Sequence, residues 1–398
     1  MTEAHLALAV DALLDELVGS GVELGLHVAV IRHGHTLVDA ARGVAEPLSG
    51  APVDSDTLFW AGSTAKGVAT SVAHVLVERG ELTDDMRLVE VWPEFGAHGK
   101  DKVTLRHVLL HTAGVPGLPA DVSATDLCDW DHMCAVIADA EPWWEPGTRF
   151  GYHAKTFGFL LGEVLRRATG DDISTLLRAR VTGPLGVGDD VHFAVPTSEL
   201  PRVARQVASV DSAPARPEPG SPLDRAMPSG VVPDADYANR SDLLTCNIPS
   251  EGTMSARGVA RMYSALLGHV QGVTLVSATR RAAMAKVAFI GMDEVMGFPS
   301  SWAFGYSPSR PNGRGMPGST FGMIGMNGSA AYADIDSGVA VAVMRNRFTP
   351  GDFTTAARID QLIADDWRER EATHARLPSG RVAVSIVASH SGERLDSI

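Results

Sequence analysis

The segment AGSTAKGVAT, residues 61–70, places a serine three residues before a lysine, at the start of a helical pattern. Residues three apart lie on the same side of a helix, so the Ser63 hydroxyl and the Lys66 amine are expected within hydrogen-bonding reach. The first helical turn also offers unpaired backbone amides and the positive end of the helix dipole, which suit an oxyanion. The spacing therefore fits a nucleophilic serine with lysine as its base or proton relay.

The same spacing has a simpler interpretation when it is taken alone. The chain holds 29 serines and five lysines in 398 residues, so a single Ser-x-x-Lys pair arises readily by chance. Ser63 would then be an ordinary helix N-cap, and Lys66 would be an exposed side chain. The surrounding sequence has to decide between the two interpretations.

Composition and charge narrow the class of protein. The chain is 45% hydrophobic and 21% charged, which is typical of a globular protein with a large core. Its net charge of −14 argues against nucleic acid or an anionic membrane as a partner. The acidic N-terminus does not resemble a secretory signal, and no segment approaches the ~20 apolar residues of a membrane span. We therefore expect a cytoplasmic protein with no nucleic-acid or membrane partner.

The cysteines and histidines do not indicate a metal site. Cys128, Cys134 and Cys246 are odd in number and lack metal-ligand spacing, so three reduced and mostly buried thiols are expected. His107 and His111 lie four residues apart, but the sequence shows neither a third ligand nor a glutamate between them. The sequence predicts no metal and no cofactor.

The order of predicted elements indicates an α+β fold. An amphipathic N-terminal helix precedes a β-hairpin over 26–45, helices fill the middle, and strands return over 319–347 before a closing helix. The absence of regular β-α-β alternation disfavours a doubly wound parallel sheet. The stretch 210–235, rich in Pro, Ser, Gly and Asp, is expected to be a long surface loop.

This order also predicts the domain organisation. Residues 1–60 and 255–371 are expected to form one sheet domain, with a mostly helical domain, 61–254, inserted between them. The remaining tail, 372–398, contains one β-prone run in polar surroundings.

Several blocks of sequence occur together in an order typical of one superfamily. They are TLFWAGSTAKGVAT, LTDDMRLVEVWPEF, VTLRHVLLHTAGVPGL, EPGTRFGYHAKTFGFLLGEVLRR and SARGVARMYSALL. Together they resemble the serine β-lactamase and penicillin-binding-protein superfamily, closest to the class C-like family VIII carboxylesterases and related transacylases. The resemblance covers about residues 5–368. It implies an antiparallel sheet flanked by N- and C-terminal helices, with the active site between this sheet and an inserted helical domain. The Gly-x-Ser-x-Gly elbow of α/β-hydrolases is absent from the sequence.

The resemblance also implies roles for individual residues. Ser63 would be the acylated nucleophile, Lys66 its base or proton relay, and Tyr152, which opens the YHA motif, the second-motif tyrosine. A free phenol, with a pKa of ~10, is a poor base at neutral pH. Beside Lys66 the phenolate would be stabilised, so that Tyr152 could accept the Ser63 proton and later return it to the leaving group.

The sequence departs from the superfamily pattern at two motifs. His153 and Ala154 replace the Tyr-x-Asn of β-lactamases with the form common among the esterases. The residues 323–325, Met-Ile-Gly, stand where the family carries Lys-Thr-Gly or His-x-Gly, so apolar side chains replace a cation or polar group. The backbone amides of Ser63 and Met326 are expected to form the oxyanion hole. Glu251 lies in a loop that could border the cleft, and no role is assigned to it.

A further set of residues is expected to border the substrate because of their positions near these motifs. The candidates for substrate binding are Trp143, Trp144, His153, Met323, Ile324 and Gly325.

The expected function is that of a serine hydrolase or acyltransferase that acts on a small-molecule ester. One alternative is a transacylase that moves an acyl group from an ester to an amine or alcohol, as in the biosynthesis of antibiotics and other natural products. A second is a non-catalytic ligand-binding member, or a true β-lactamase or D,D-peptidase.

Overall fold

The computed structural model describes residues 3–209, 216–313 and 318–376. The helices are α1 Glu3–Gly19, α2 Thr64–Glu78, α3 Leu105–Leu109, α4 Trp130–Asp139, α5 Thr156–Thr169, α6 Ile173–Leu177, α7 Pro222–Ala226, α8 Ala235–Ala238, α9 Ser241–Leu244, α10 Ala256–Leu266, α11 Ala278–Ala285 and α12 Thr354–Arg376. The strands are β1 Gly25–Arg32, β2 His35–Glu46, β3 Ala51–Pro52, β4 Phe59–Trp60, β5 Val191–His192, β6 Val207–Ala208, β7 Thr253–Met254, β8 Val287–Met292, β9 Pro299–Ala303, β10 Thr320–Ile324, β11 Ala330–Asp334, β12 Val339–Arg345 and β13 Arg347–Phe348.

The main sheet is assembled from both ends of the chain. Its strands run in the order β10-β11-β12-β1-β2-β3, with antiparallel neighbours throughout. The central β1–β12 ladder pairs Leu26 with Arg345 at one end and Arg32 with Val339 at the other. The predicted hairpin over 26–45 and the predicted strands over 319–347 are therefore confirmed, as is the α+β class.

Alternation along the central strands divides the core between the two faces of the sheet. Leu26, Val28 and Val30 of β1 pack in the cluster that contains α1 and α12, while Ala29 and Ile31 belong to the larger cluster on the other face. Successive strand residues point to opposite faces, so a strand buried on both sides reads as a continuous apolar run. The predicted amphipathic N-terminal helix is confirmed in α1, whose apolar face is buried through Leu6, Val10, Leu13, Leu14 and Leu17.

Helix α2 lies between the main sheet and the helices of the middle of the chain. It contacts β10 on one side and α5 and α6 on the other, and every residue from Thr64 to Leu76 is buried. A helix buried all round has its direction fixed by packing on every side. Consequently, the residue at its N-terminus has a defined position at the edge of the sheet.

The chain differs from the sequence prediction in three regions. The stretch 210–235 includes α7 and ends at the first residue of α8, and it buries Val231 and Ala235, so its described part is not a plain surface loop; residues 210–215 lie outside the described residues. Strands β8 and β9 form a hairpin that the sequence did not predict. Helix α12 runs to Arg376, past residue 371, where the sheet domain was expected to end, and the β-prone run over 381–389 lies outside the described residues.

The expectation of three reduced thiols is wrong for two of them. Cys128 and Cys246 form a disulfide, with their Cα atoms 5.4 Å apart, whereas Cys134 is free and buried. The loop after α9 lies against the turn that ends at Cys128, which brings the two side chains together within the usual range. The partners are 118 residues apart in sequence, so their spacing gave no sign of the pairing.

The remaining features of the fold are the lengths of its helices, a small second sheet and the division into domains. In the described ranges, no helix is both long and apolar enough to span a membrane. Strands β4, β5 and β7 form a small sheet that links residues near 60, 192 and 254. The division into a sheet domain and an inserted helical domain stays a prediction.

Candidate active site

Ser63 lies immediately before α2 and leaves its hydroxyl free of the helix. Its backbone is already helical, with φ −64° and ψ −9°, and its side chain makes no capping hydrogen bond. Instead Lys66 Nζ lies 3.0 Å from Ser63 Oγ. Ser63 occupies the N-cap position without capping the helix through its side chain, and Lys66 is 1% exposed, so the interpretation of a capping serine beside an exposed lysine is wrong. The contact expected from the spacing is present.

The surroundings of Lys66 favour its neutral amine. Nζ also donates a hydrogen bond to the Ser250 carbonyl oxygen at 3.0 Å. Burial lowers the pKa of Lys66 to about 7, while Glu251 raises this pKa and Lys155 lowers it. Removing an ammonium from water disfavours its charged form. A substantial fraction of Lys66 is therefore uncharged near neutral pH and able to accept a proton.

Tyr152 lies against Lys66 but is held as a neutral phenol. Lys66 Nζ is 5.1 Å from the centre of its ring, and the backbone amide of Tyr152 donates to Asp293 Oδ1 at 3.1 Å. Burial raises the pKa of Tyr152 above its ordinary value, the hydrogen bond with Ser63 lowers it, and Asp293 raises it. The expected phenolate base is therefore disfavoured, because the site removes water from the phenol more effectively than it stabilises the anion.

Two backbone amides beside the serine are available as donors. Within the described residues, neither the Ser63 nor the Met326 amide donates to a backbone carbonyl, and both residues line the same cavity. The Met326 carbonyl is fixed by the Gly351 amide at 2.8 Å. A Cβ at Gly325 would lie 2.2 Å from the Ala61 carbonyl oxygen, so only glycine allows this close approach.

The cavity at Ser63 has a volume of about 260 Å³ and is lined mainly by apolar side chains. Part of its wall comes from the stretch that the sequence had assigned to a surface loop, and Met296 from the β8–β9 turn supplies another part. The apolar lining residues include Trp60, Ala154, Pro217, Leu223, Met227, Pro233, Met296, Met326 and Pro350. Sequence reasoning missed most of them, because apolar residues in loops carry no periodic signal.

Contrary to the sequence prediction, the residues of β10 do not contact this cavity. Met323 is 4% exposed and packs with Phe150 and Trp302, in a small cluster against which Tyr152 also rests. Ile324 packs on the opposite face of the sheet, against the cluster that holds α1 and α12. Adjacent strand residues point to opposite faces, so β10 cannot present both side chains to one site. Met323, Ile324 and Gly325 are not among the residues that line the cavity.

The two tryptophans and the histidine also lie outside the Ser63 cavity. Trp143 borders a separate cavity of about 1050 Å³ and carries the Arg225 guanidinium 4.2 Å from its ring centre. Trp144 is buried, and its Nε1 donates to the Thr112 carbonyl at 3.3 Å. His153 is 1% exposed, and burial lowers its pKa to about 4, so it is a neutral structural histidine.

A buried charged pair on the cavity wall was not foreseen. Lys155 Nζ donates to the Glu251 carboxylate and, at 3.0 Å, to Tyr237 Oη, which itself donates to Glu251 at 3.1 Å. The sequence contained a weak indication of this pair, since Lys155 is one of only five lysines and directly follows the YHA motif. In the ranges that the structure describes, no three His, Cys, Asp or Glu side chains converge as metal ligands.

The fold and this site together define a class of protein. A serine placed ahead of a buried helix, at the edge of an antiparallel sheet built from both chain ends, is the arrangement of serine enzymes with a β-lactamase-like fold. The chain belongs to the beta-lactamase family: the family model described as Beta-lactamase matches residues 10–365.

Curated and solved relatives support this membership. The chain is 32% identical over 333 residues to "Esterase/beta-lactamase LipL" of Mycobacterium tuberculosis (strain ATCC 25618 / H37Rv), which covers 80% of this chain and 76% of that protein. It is 30% identical over 280 residues to "Esterase EstB" of Burkholderia gladioli, covering 61% and 69%. The crystal structure of a family VIII carboxylesterase superposes with a TM-score of 0.82 at 32% identity, covering 90% of this chain and 97% of that one. The expected β-lactamase-like fold is confirmed.

Proposed function

We propose that this protein is a serine esterase that forms an acyl-enzyme on Ser63. The observation that carries the proposal is the 3.0 Å contact between Ser63 Oγ and the buried Lys66 amine, inside a mainly apolar cavity. LipL is named an esterase/beta-lactamase and EstB an esterase, and a family VIII carboxylesterase shares the fold, which supports an ester as the substrate class.

Acylation would begin with neutral Lys66. Its amine accepts the Ser63 hydroxyl proton while Oγ attacks the ester carbonyl carbon, which forms a tetrahedral intermediate with a negatively charged oxygen. The amides of Ser63 and Met326 are the donors proposed to stabilise this oxyanion. As the intermediate collapses, the ester C–O bond breaks and the departing alkoxide takes a proton from Tyr152. The Lys66 ammonium then restores the proton of Tyr152.

Deacylation would repeat these steps with a second nucleophile. Neutral Lys66 takes a proton from an incoming water, alcohol or amine, which attacks the acyl carbonyl carbon. The bond between the acyl carbon and Ser63 Oγ then breaks, and the Lys66 ammonium returns the proton to Oγ. Hydrolysis and acyl transfer share the acyl-enzyme and differ only in this acceptor.

Acyl transfer to an amine or alcohol is the second candidate. The mainly apolar cavity wall favours an acceptor with its own apolar body, which can displace water from the site. Native protein would be incubated with an ester and increasing concentrations of candidate amines. Amide that forms at the expense of free acid would support transfer, whereas free acid alone at every amine concentration would contradict it.

The β-lactamase and D,D-peptidase alternative has less support. The motif that carries a cation in the family is apolar here, with Met323 buried in a cluster away from the cavity. The Lys155 cation on the cavity wall is already neutralised by Glu251. With so little free positive charge, we expect nitrocefin to be turned over far more slowly than a neutral p-nitrophenyl ester.

The proposal is tested by rapid mixing of the protein with a p-nitrophenyl ester. Native protein should release a burst of p-nitrophenol equal to the concentration of active sites, followed by a slower steady rate. The Ser63→Ala variant should show neither phase. Equal release by the native protein and by this variant would contradict a Ser63 acyl-enzyme.

A further inference from the structure

The Lys155–Glu251 pair lies in the wall of the cavity that holds Ser63 and Lys66. Lys155 is 2% exposed and Glu251 is 7% exposed, although both reach the cavity surface. A buried ion pair of this kind contributes little net stability, because removing two charges from water costs about as much as their attraction returns. The presence of the pair at this position is therefore better explained by an effect on the neighbouring site.

The chain holds the pair rigidly beside Lys66. Ser250, whose carbonyl accepts a hydrogen bond from Lys66 Nζ, directly precedes Glu251. The next residue, Gly252, accepts from the Ala61 amide at 2.8 Å, just ahead of α2. A Cβ at Gly252 would meet the Ala65 side chain at 2.8 Å, so the segment 250–252 lies directly against the start of α2.

We propose that the Lys155–Glu251 pair is a positioning element that balances the charge around Lys66, so that this amine is available as the base for Ser63. This inference rests on the proposed function only in treating Lys66 as that base. Neither member of the pair needs to touch the substrate. The carboxylate attracts a proton to Lys66 and the Lys155 ammonium repels it, so the two charges act on Lys66 in opposite directions while both partners are present.

Three other titratable groups around Lys66 are uncharged at neutral pH. Tyr152 is a neutral phenol, and the pKa of His111 is held well below its ordinary value by burial, by His153 and by Lys66. Tyr237, on α8, has its pKa raised by burial and by Glu251. Asp293 accepts hydrogen bonds from the backbone amides of Tyr152, Val295 and Met296, and burial raises its pKa above the ordinary value. The pair is consequently the main charged neighbour of Lys66 among the described residues.

Single substitutions in the pair should therefore act in opposite directions. Glu251→Gln removes the negative partner, which should move the titration midpoint of Lys66 to lower pH by about one unit. Lys155→Met removes the positive partner and should move the midpoint to higher pH by about as much. The double variant should return it close to the native value. Tyr237→Phe is the matched control, since it removes a hydrogen bond to the pair without changing any charge.

The midpoint can be measured without any turnover. Only five lysines occur in the chain, so protein labelled with ¹³C at the lysine ε-carbon gives few NMR signals, and the Lys66 signal is identified by its loss in Lys66→Arg. The pH of half-maximal acylation, measured with a p-nitrophenyl ester, provides the second readout. Thermal unfolding of each variant shows whether it is folded. If a single variant does not fold, the Lys66 midpoint of the double variant still tests the inference.

These measurements distinguish a failure of the inference about the Lys155–Glu251 pair from a failure of the proposed function. Opposite shifts of the Lys66 signal support the inference, even if the esters show no burst and the proposed function fails. A normal burst with the same Lys66 midpoint in the native protein, in both single variants and in the double variant would overturn the inference and leave the proposed function intact. Shifts of both single variants in the same direction would also overturn it, because that result indicates a general structural disturbance.

Discussion

At the scale of single residues, the Ser-x-x-Lys spacing predicts a contact but not its chemical environment. The hydrogen bond between Ser63 and Lys66 follows from helical geometry, which is local and can be inferred from the sequence. The low pKa of Lys66 and the high pKa of Tyr152 depend on burial by distant segments. For that reason the sequence suggested a phenolate base, whereas the pKa directions of the two residues support the proposal that Lys66 is the base.

The pH dependence of acylation tests the choice of base. In the proposed mechanism Lys66 acts as a base only when unprotonated. Burial lowers its pKa to about 7, so the unprotonated fraction falls as pH drops below that value. We expect the burst rate with a neutral ester to rise about tenfold per pH unit below the midpoint and to level off above it. A rate that keeps rising toward pH 10 would instead indicate that a group with an ordinary lysine or tyrosine pKa controls the reaction.

A second prediction concerns the phenol of Tyr152. The Tyr152→Phe variant keeps the ring, which packs 4.9 Å from His111 and 6.0 Å from Trp302, but removes the proton donor. Loss of a general acid–base group typically costs about 10²–10⁴-fold in rate. We expect kcat to fall by about 100-fold or more while the thermal unfolding midpoint changes little. Unchanged kcat in a folded variant would exclude Tyr152 from proton transfer.

At the scale of elements, strand alternation explains both a success and an error. The strands of 319–347 and their turns were predictable, because β-branched and apolar runs between Asn-Gly and Asp-Ser-Gly turns are a local signal. The face that each residue of β10 presents was not predictable, since it depends on which neighbour the strand acquires. Met323 and Ile324 thus pack on opposite sides of the sheet, and the connection to the site passes through Gly325.

Gly325 provides the test at this scale. A Cβ at this position would lie 2.2 Å from the Ala61 carbonyl oxygen, so Gly325→Ala should push the end of β10 away from the start of α2. We expect a loss of about 1–3 kcal/mol in the free energy of unfolding, as is typical of overpacking, together with a burst rate reduced at least tenfold.

The matched control for Gly325 is Gly19, at the exposed end of α1. A Cβ at Gly19 meets no heavy atom within 4 Å, so Gly19→Ala should leave activity and stability nearly unchanged. The two variants would be compared by denaturant unfolding and by the burst assay. Equal behaviour of the two would mean that the close approach of β10 to α2 has no part in the activity.

At the scale of the whole molecule, the order of elements along the chain predicted the fold class and the sheet assembled from both termini. The long-range pairings were not available from the sequence. Cys128 and Cys246, like Lys155 and Glu251, lie about 100 residues apart and meet only because separate loops pack together. The segment after residue 216 also covers the Ser63 cavity, and this contact was not predicted for the same reason.

The disulfide makes a prediction about global stability. It closes a stretch of 118 residues and so restricts the unfolded chain, which typically contributes about 2–4 kcal/mol to the free energy of unfolding. We expect a reductant to lower the thermal unfolding midpoint of the native protein. It should not alter the midpoint of the double variant Cys128→Ser, Cys246→Ser. An equal effect of reductant on both proteins would contradict the disulfide, and peptide mapping without reduction would locate the linked cysteines directly.

The central claim is that Ser63 carries the acyl group, and intact-protein mass spectrometry tests it most directly. Native protein would be mixed with a p-nitrophenyl ester, quenched in acid within the burst phase, and compared with the Ser63→Ala variant treated in the same way. The account predicts a mass increase of one acyl group on the native protein, located by peptide mapping to Ser63, and no such increase on the variant. An unmodified native protein that nevertheless releases p-nitrophenol, or an adduct on another residue that persists in Ser63→Ala, would contradict it.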